Sequence, residues 1–384
     1  MASILIVTWN FPPTTGGIEN LIGDIYINLS KYHDVTVITA GNPDEESDSN
    51  VIRLRARNVS IFLVKAFFLT LGIQLKRKFD LLLSGSLLIN PITVFVGMLT
   101  QTPRITMSYG LDIIYPNPFY QFVMRATMNR SNAVVVISEN SRKLAIEHGL
   151  APQKAEMLHP GVPDKLLQGL NSSQDPASVR NKYGIGGRPC ILSVGRLTKR
   201  KGILPFVREC FPKILESIPE CVLLVVGEDP TEALVYKEGE LTQIKQAVKT
   251  MGLDDSVVFA GRVDDDQLLS VYGSADLFIF PVIEIPNDIE GFGMVAIEAA
   301  LVETPAVATE VGGIPDAVEN GVSGIIVKPG DYDAFAKAVI DLLTDNSKRI
   351  SLGGFARERV MTRFTWKTLI HEWNSIIESV LHRY

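Results

Sequence analysis

The feature that most constrains this chain is an alternation that runs through it twice. Short apolar stretches are each followed by a segment whose apolar residues recur at helical spacing. In the first series the strand-like stretches are 4–8, 35–39, 51–54 and 133–137. Between them Ile18, Leu21, Ile22, Ile25 and Leu29 repeat as one helix face, and 61–75 reads as a second helix. A weakly patterned segment at 160–188, with Pro160, Gly161, Pro163, Pro176 and Gly184, interrupts the pattern. It restarts with strands at 191–194, 222–226, 257–260, 277–280, 306–308 and 324–327. Strands apolar on both faces need helices on both faces, which predicts α/β architecture with parallel sheets. Two such series predict two Rossmann-like domains, at 1–165 and 185–365, and 384 residues suit two cores better than one. Ligands of such sheets bind at the carboxyl ends of the strands, so the expected site is a cleft between the domains.

Composition narrows the function classes. A net charge of −6 argues against nucleic acid as the main partner. Residues 1–165 hold 15 Lys and Arg against 13 Asp and Glu, so the first half is slightly positive and the remainder negative. Cys190, Cys210 and Cys221 lack metal-ligand spacing and read as buried free thiols in a reducing cytosol. Residues 1–9 read as a strand, without the cationic start and long apolar core of a signal peptide. The stretch 81–103 has no charged side chain and is long enough to span a bilayer. Asn90-Pro91 and the Ser84-Gly85-Ser86 turn split it, which predicts a strand, a loop and a buried helix instead. A cytoplasmic protein is expected.

Several constellations carry chemistry. In the segment 290–298, Glu298 interrupts an apolar helix, where a carboxylate is costly unless it is hydrogen-bonded. Gly291 and Gly293 bracket the turn before that helix, whose N–H groups suit an anion. A phosphate-bearing ligand with hydroxyls, such as a nucleotide sugar, would satisfy both ends. Gly16-Gly17 stands between the first strand and helix, without a G-x-G-x-x-G, so a dinucleotide dehydrogenase is not expected. The pair reads equally as a phosphate approach or a tight turn. Arg196 and Lys201 follow the strand at 191–194, where two cations could neutralise a diphosphate leaving group. Lys199 and Arg200 read as solvated. Asp264, Asp265 and Asp266 read as a helix cap and dipole partners, with no metal placed on them. The helix at 61–75, with Phe62, Phe67, Phe68 and the following Lys76-Arg77-Lys78, reads as packed on its own sheet. Its basic amphipathic pattern also admits contact with an anionic membrane.

These motifs together resemble the retaining glycosyltransferases of family 4, over nearly the whole chain. The matching segments are Pro-Pro-Thr-Thr-Gly-Gly-Ile-Glu (12–19), Gly-Arg-Leu-Thr-Lys-Arg-Lys-Gly (195–202) and Val-Val-Gly-Glu (225–228). They continue with Glu-Gly-Phe-Gly…Glu (290–298) and Thr-Glu-Val-Gly-Gly-Ile-Pro-Asp (309–316). The loop before Glu290 is similar to the phosphatidylinositol mannosyltransferase branch, which suggests GDP-mannose. The resemblance implies a GT-B fold with two Rossmann-like domains facing an interdomain cleft. It implies that Arg196 and Lys201 hold the donor diphosphate, with Gly17 approaching from the other domain. Glu290 would bond the transferred sugar, and Phe292, Gly293, Met294 and Val295 would present backbone N–H groups. Glu298 would grip the ribose, and Arg262 and Val263 would lie near the base. A C-terminal helix, 366–384, with Trp366 and Trp373, would cross back onto the N-terminal domain.

One departure matters. Many members carry a His near the sugar where this chain has Tyr109, in Ser-Tyr-Gly-Leu-Asp (108–112). A phenol is a poor base at neutral pH, so Tyr109 and Asp112 are both candidates without an assigned proton. The resemblance implies a metal-independent, retaining hexosyltransferase using GDP-mannose or a UDP-hexose and a glycan or lipid-linked acceptor. Peripheral membrane contact at the inner face, and no nucleic acid, complete the expectation. A nucleotide-sugar-binding subunit without activity, and a sugar-phosphate synthase or epimerase on the same fold, are the alternatives.

Overall fold

The computed structural model describes residues 1–14, 16–43, 48–170, 175–229 and 239–383. The chain forms two compact units, Met1–Pro163 with Trp366–Tyr384, and Asp164–Thr365. The division falls at 163/164, so 164–184 belongs to the second unit instead of ending the first or bridging the two. The segment that looked patternless holds two short helices, Asp164–Gly169 and Pro176–Lys182, anchored by buried Leu166 and Val179.

The first unit is built on seven parallel strands, ordered β3-β2-β1-β4-β5-β6-β7. They are β1 Ser3–Val7, β2 Asp34–Ala40, β3 Val51–Leu54, β4 Leu81–Ser84, β5 Arg104–Ser108, β6 Ala133–Val136 and β7 Ala155–Met157. Helices α1 (Gly17–Leu29), α2 (Val59–Arg77), α3 (Asn90–Thr100), α4 (Leu111–Ile114) and α5 (Pro118–Met128) connect them. The register aligns Val7, Ser84, Thr106 and Val134 on one face of the sheet. On the core beside this row, Phe62 and Ala66 of α2 pack with Leu5, Val7, Leu82 and Val96. The charge-free stretch 81–103 therefore folds as β4 and α3. Among the described residues the helix long and apolar enough to cross a membrane is α2, with a mean hydropathy of 1.6. Its Phe62–Ala66 stripe lies in the sheet core, so its inner side is protein, not lipid.

The second unit repeats the plan with six parallel strands, ordered β10-β9-β8-β11-β12-β13. They are β8 Cys190–Val194, β9 Val222–Val226, β10 Val257–Gly261, β11 Leu277–Phe280, β12 Ala306–Thr309 and β13 Gly324–Val327. Phe206, Phe211 and Phe335 meet in an aromatic cluster on this sheet. Cys190, Cys210 and Cys221 are free and buried, and burial pushes each thiol up to about 12. They are inert packing groups at neutral pH.

In each sheet the strand order reverses beside the first strand, between β1 and β4 and between β8 and β11. A parallel sheet opens a crevice at such a point, and it is there that loops after neighbouring strands can converge.

The C-terminal helix, Trp366–His382, is part of the first unit. Trp366 and Trp373 are each 2% exposed. A Cβ on Gly161 would lie 3.0 Å from the Trp366 indole nitrogen, and Asn374 Oδ1 is 2.9 Å from His33 Nε2. Truncating Trp373 to alanine leaves a large cavity and is expected to cost about 3–5 kcal/mol. Chemical unfolding should show the first unit melting earlier in Trp373→Ala, with the transition of the second unit unmoved.

Candidate functional site

In the second unit the loops after β8, β11 and β12 bring the candidate charged residues together. Gly195 follows β8 with φ +137°, and a Cβ on Gly227 would lie only 2.0 Å from the Gly195 carbonyl oxygen. The loops after β8 and β9 are thus pressed backbone to backbone. The chain then passes Arg196, which is exposed, and turns through Lys199–Lys201 into Gly202. Gly202 has φ +70°, and a Cβ there would meet the Pro281 carbonyl oxygen at 1.9 Å. Only glycine lets this loop lie against the loop after β11. Ile283 N–H donates to the Arg200 carbonyl at 2.9 Å and fixes the same contact.

That contact places cations on a carboxylate. Lys201 Nζ is 2.8 Å from Glu290 Oε2 and lies 4.6 Å from the centre of the Phe280 ring. Arg200 also pairs with Glu290, through Nη1, and with Asp288 at 3.1 Å through Nε. Side chains of Arg200, Asp288 and Glu290 are 12%, 9% and 13% exposed, so the cluster is largely out of water. Burial alone would raise the Glu290 pKa, but Lys201 and Arg200 outweigh it and hold the carboxyl at about 2. Burial moves Lys201 the other way, lowering its pKa against the pull of Glu290. Arg200 is therefore not solvated, as its place in a basic run suggested. The carboxylates two residues apart, Asp288 and Glu290, were the sequence signal for a bridging guanidinium.

The loop after β12 fixes the main chain of this carboxylate. Gly313 N–H donates to the Glu290 carbonyl at 2.8 Å, and a Cβ on Gly313 would lie 2.1 Å from the Gly291 carbonyl oxygen. Gly293 follows with φ +104° and starts the helix Met294–Leu301, whose N terminus carries no side-chain cap. Its first N–H groups, those of Met294 and Val295 among them, have no partner within the helix and point a positive dipole end outward. Phe292 is buried against Phe364. One turn into the helix, Glu298 accepts a hydrogen bond from Tyr272 Oη at 2.9 Å. Burial raises the Glu298 pKa, and the Tyr272 bond works against that rise. Sequence reading named Glu298 as needing a partner but did not identify Tyr272.

Arg262 and Val263 follow β10, at the same end of the sheet, and Arg262 is exposed. Beside them Asp264 stands at the cap of the next helix but makes no capping hydrogen bond. Asp265 and Asp266 are in the first turn, where they complement the dipole. No group of three or more His, Cys, Asp or Glu suited to a metal occurs among the described residues.

The first unit has its own loops at the reversal of strand order. Gly16 and Gly17 begin α1, with open space where a Gly17 Cβ would be. After β5, Tyr109 is buried and its hydroxyl donates to the Gly85 carbonyl at 2.8 Å. Burial, then the Asp112 charge, push its pKa well above the ordinary value, so the phenol stays protonated. Asp112 accepts from Ser108 Oγ and from the N–H groups of Tyr109, Gly110 and Leu87, at 2.9–3.1 Å. Both side chains are engaged in building the turn between β5 and α4.

Family models match both halves of the chain. One, described as glycosyl transferases group 1, covers residues 177–359, and another, described as glycosyltransferase family 4, covers 15–166. A GDP-mannose-dependent alpha-(1-6)-phosphatidylinositol monomannoside mannosyltransferase of Mycolicibacterium smegmatis is 27% identical, with 95% of each chain covered. A capsular polysaccharide biosynthesis glycosyltransferase, CapM, of Staphylococcus aureus is 28% identical over 94% of this chain and 93% of its own. Among solved structures, HepE of Anabaena in complex with UDP superposes with a TM-score of 0.80 at 20% identity, covering 98% of this chain and 100% of that one. Sucrose-phosphate synthase of Thermosynechococcus elongatus does so with 0.81 at 22%, each chain being covered completely. These likenesses show the GT-B fold.

Two measurements test the geometry. The Glu290 carboxyl is held below its unfolded value of 4.5, at about 2, so its contribution is full above pH 4.5 and fades as pH falls towards 2. Across that window the unfolded chain binds the extra proton, and Glu290→Gln should lose stability less steeply than the parent in acid titrations followed by circular dichroism. Tyr109→Phe leaves the Gly85 carbonyl short of a donor and is expected to cost about 1–2 kcal/mol in denaturant melts. Donor turnover should stay within about twofold if the phenol serves only the loop.

Proposed function

Since the chain belongs to the family 4, group 1 glycosyltransferases, we propose that it transfers mannose from GDP-mannose to a lipid-linked acceptor. Transfer occurs with retention at the anomeric carbon and without a metal ion. The observation that carries this reading is the Glu290 carboxylate, held between Lys201 and Arg200 and followed within three residues by an uncapped helix N terminus. That arrangement sets a hydrogen-bond acceptor for sugar hydroxyls beside donors for an anion. The choice of sugar and acceptor leans on the relatives named as GDP-mannose-dependent mannosyltransferases of phosphatidylinositol mannoside. A UDP-hexose donor and a glycan acceptor are the second choice, favoured by relatives such as CapM.

The residues divide the work by charge. Arg196, exposed at the end of β8, and Lys201 meet the diphosphate and stabilise the negative charge that grows as the sugar–phosphate bond breaks. They supply what a divalent ion supplies in other phosphate-leaving reactions. The N–H groups of Gly293, Met294 and Val295 add a dipole aimed at the same phosphates. Glu290 stays ionised at neutral pH and accepts from sugar hydroxyls, a role its depressed pKa suits and a general-base role does not. Glu298, with one oxygen on Tyr272, has the other for the ribose diol, and Arg262 and Val263 lie near the base. In the first unit Gly17 leaves room for a phosphate, while Tyr109 and Asp112 hold the loop after β5 in shape.

Lys201→Ala and Glu290→Ala should each lower transfer from GDP-mannose by at least about tenfold, equivalent to about 1.4 kcal/mol in barrier. The assay is run with a chelator present, and the anomeric configuration of the product is read by NMR. Full turnover in both variants would overturn the site assignment, and turnover lost on chelation would overturn metal independence. An inverted product would overturn retention. Thermal shift with UDP- and GDP-sugars identifies the donor, and a shift without transfer to any acceptor would mark a binding protein instead.

A further inference from the structure

Both cations of the Glu290 cluster reach the same carboxylate oxygen. Lys201 Nζ, at 2.8 Å, and Arg200 Nη1 bond Oε2, so Oε1 takes neither bond. The two cations are held differently. Arg200 is fixed at both ends, its carbonyl accepting from Ile283 N–H at 2.9 Å and its Nε donating to Asp288 at 3.1 Å. Asp288 is itself seated in the loop after β11, its N–H donating to the Ile285 carbonyl at 3.1 Å. The Lys201 ammonium ends a flexible stem beside Gly195, where a Cβ would lie 3.9 Å from Nζ. Burial lowers the Lys201 pKa, and the charges of Arg200 and Arg196 add to that while Glu290 opposes it.

Lys201 and Arg200 balance Asp288 and Glu290, two positive charges against two negative. A diphosphate arriving at the end of β8 upsets that balance, because it competes with Glu290 for the mobile ammonium of Lys201. With Lys201 turned to phosphate and no second cation, Glu290 would be a largely buried carboxylate beside an anion. Desolvation and like-charge repulsion both oppose that state, and both favour a proton on the carboxyl. A guanidinium removes the conflict, since it is planar, always charged and able to bridge two carboxylates at once. Arg200 already does so, and Asp288 keeps it in place whichever way Lys201 points.

We propose that Arg200 is a positioning residue for the transfer: it keeps Oε2 of Glu290 clamped while Lys201 turns to the diphosphate, leaving Oε1 for the sugar hydroxyls. Arg200 itself touches neither the sugar nor the phosphates. The inference rests on the reading of Lys201 and Glu290 as donor ligands, and adds the group that lets both act at once. It does not depend on which sugar is moved.

Calorimetry on the full chain compares GDP with GDP-mannose, and UDP with UDP-glucose, so that the affinity added by the sugar is read apart from that of the nucleotide. In the pair that the parent binds, Arg200→Gln should cut the sugar's contribution by about tenfold, the loss of one charged hydrogen bond, and weaken the nucleotide alone by less. Arg200→Lys, which restores the charge, should recover part of that loss. The ratio of variant to parent affinity for the sugar nucleotide should fall further between about pH 8 and about pH 5, because Glu290 without Arg200 gains a proton more readily. Asp288→Asn, which loosens the guanidinium, should move every reading the same way by less, and it carries the test if Arg200→Gln does not fold. Equal losses for nucleotide and sugar nucleotide, at a ratio flat in pH, would make Arg200 a structural residue and overturn the proposal, as would parent-like binding. A parent that gains no affinity from the sugar would sink the Glu290 reading and the proposal with it. A parent that binds neither nucleotide would sink the donor site as a whole.

Discussion

The ion cluster of Glu290 with Lys201 and Arg200 is the interaction on which the second unit's site depends. It joins the loops that leave β8 and β11, the two strands between which the sheet order reverses. A buried pair of this kind adds little net stability, because desolvating the charges offsets much of their attraction. Its effect is to specify geometry. Removing Glu290 leaves Lys201, a largely buried cation, without its carboxylate partner. Asp288 pairs with Arg200 Nε, so this guanidinium bridges two carboxylates of the loop after β11 instead of one. The same charges that order these loops are those a phosphate and a sugar would meet in the proposed transfer.

Much of the fold was legible because parallel strands buried on both faces read as continuous apolar runs. Two strands escaped that signal for physical reasons. β5 begins with Arg104 and turns Thr106 and Ser108 inward, where Thr106 bonds Asn90 and Ser131, so its burial is polar. β7 is a three-residue strand at the end of the sheet order, with a half-buried Glu156, too short to show any period. The division near residue 164 was visible as a loss of pattern, but two helices of six and seven residues carry too few apolar positions to declare a side.

The site was legible where chemistry demanded an unusual residue and obscure where geometry did the work. Glu298 in an apolar helix and the glycines before it could be found by asking what they cost. Arg200 was missed, since the basic run itself does not mark which cation turns inward; that is decided by Gly202 allowing the loop to touch Pro281. Tyr109 looked like a substitute for a catalytic group. In the folded chain its hydroxyl belongs to Gly85, which gives the residue a structural occupation that sequence alone could not show.

The return of the helix Trp366–His382 to the first unit has a consequence for synthesis on the ribosome. The second unit is contiguous, Asp164–Thr365, and can complete its core as soon as it emerges. The first unit cannot complete its core until the helix Trp366–His382 is made, although its sheet is translated first. The order of completion is therefore the reverse of the order of translation. During that interval the apolar surface that Trp366 and Trp373 later cover is exposed to chaperones and to neighbouring nascent chains.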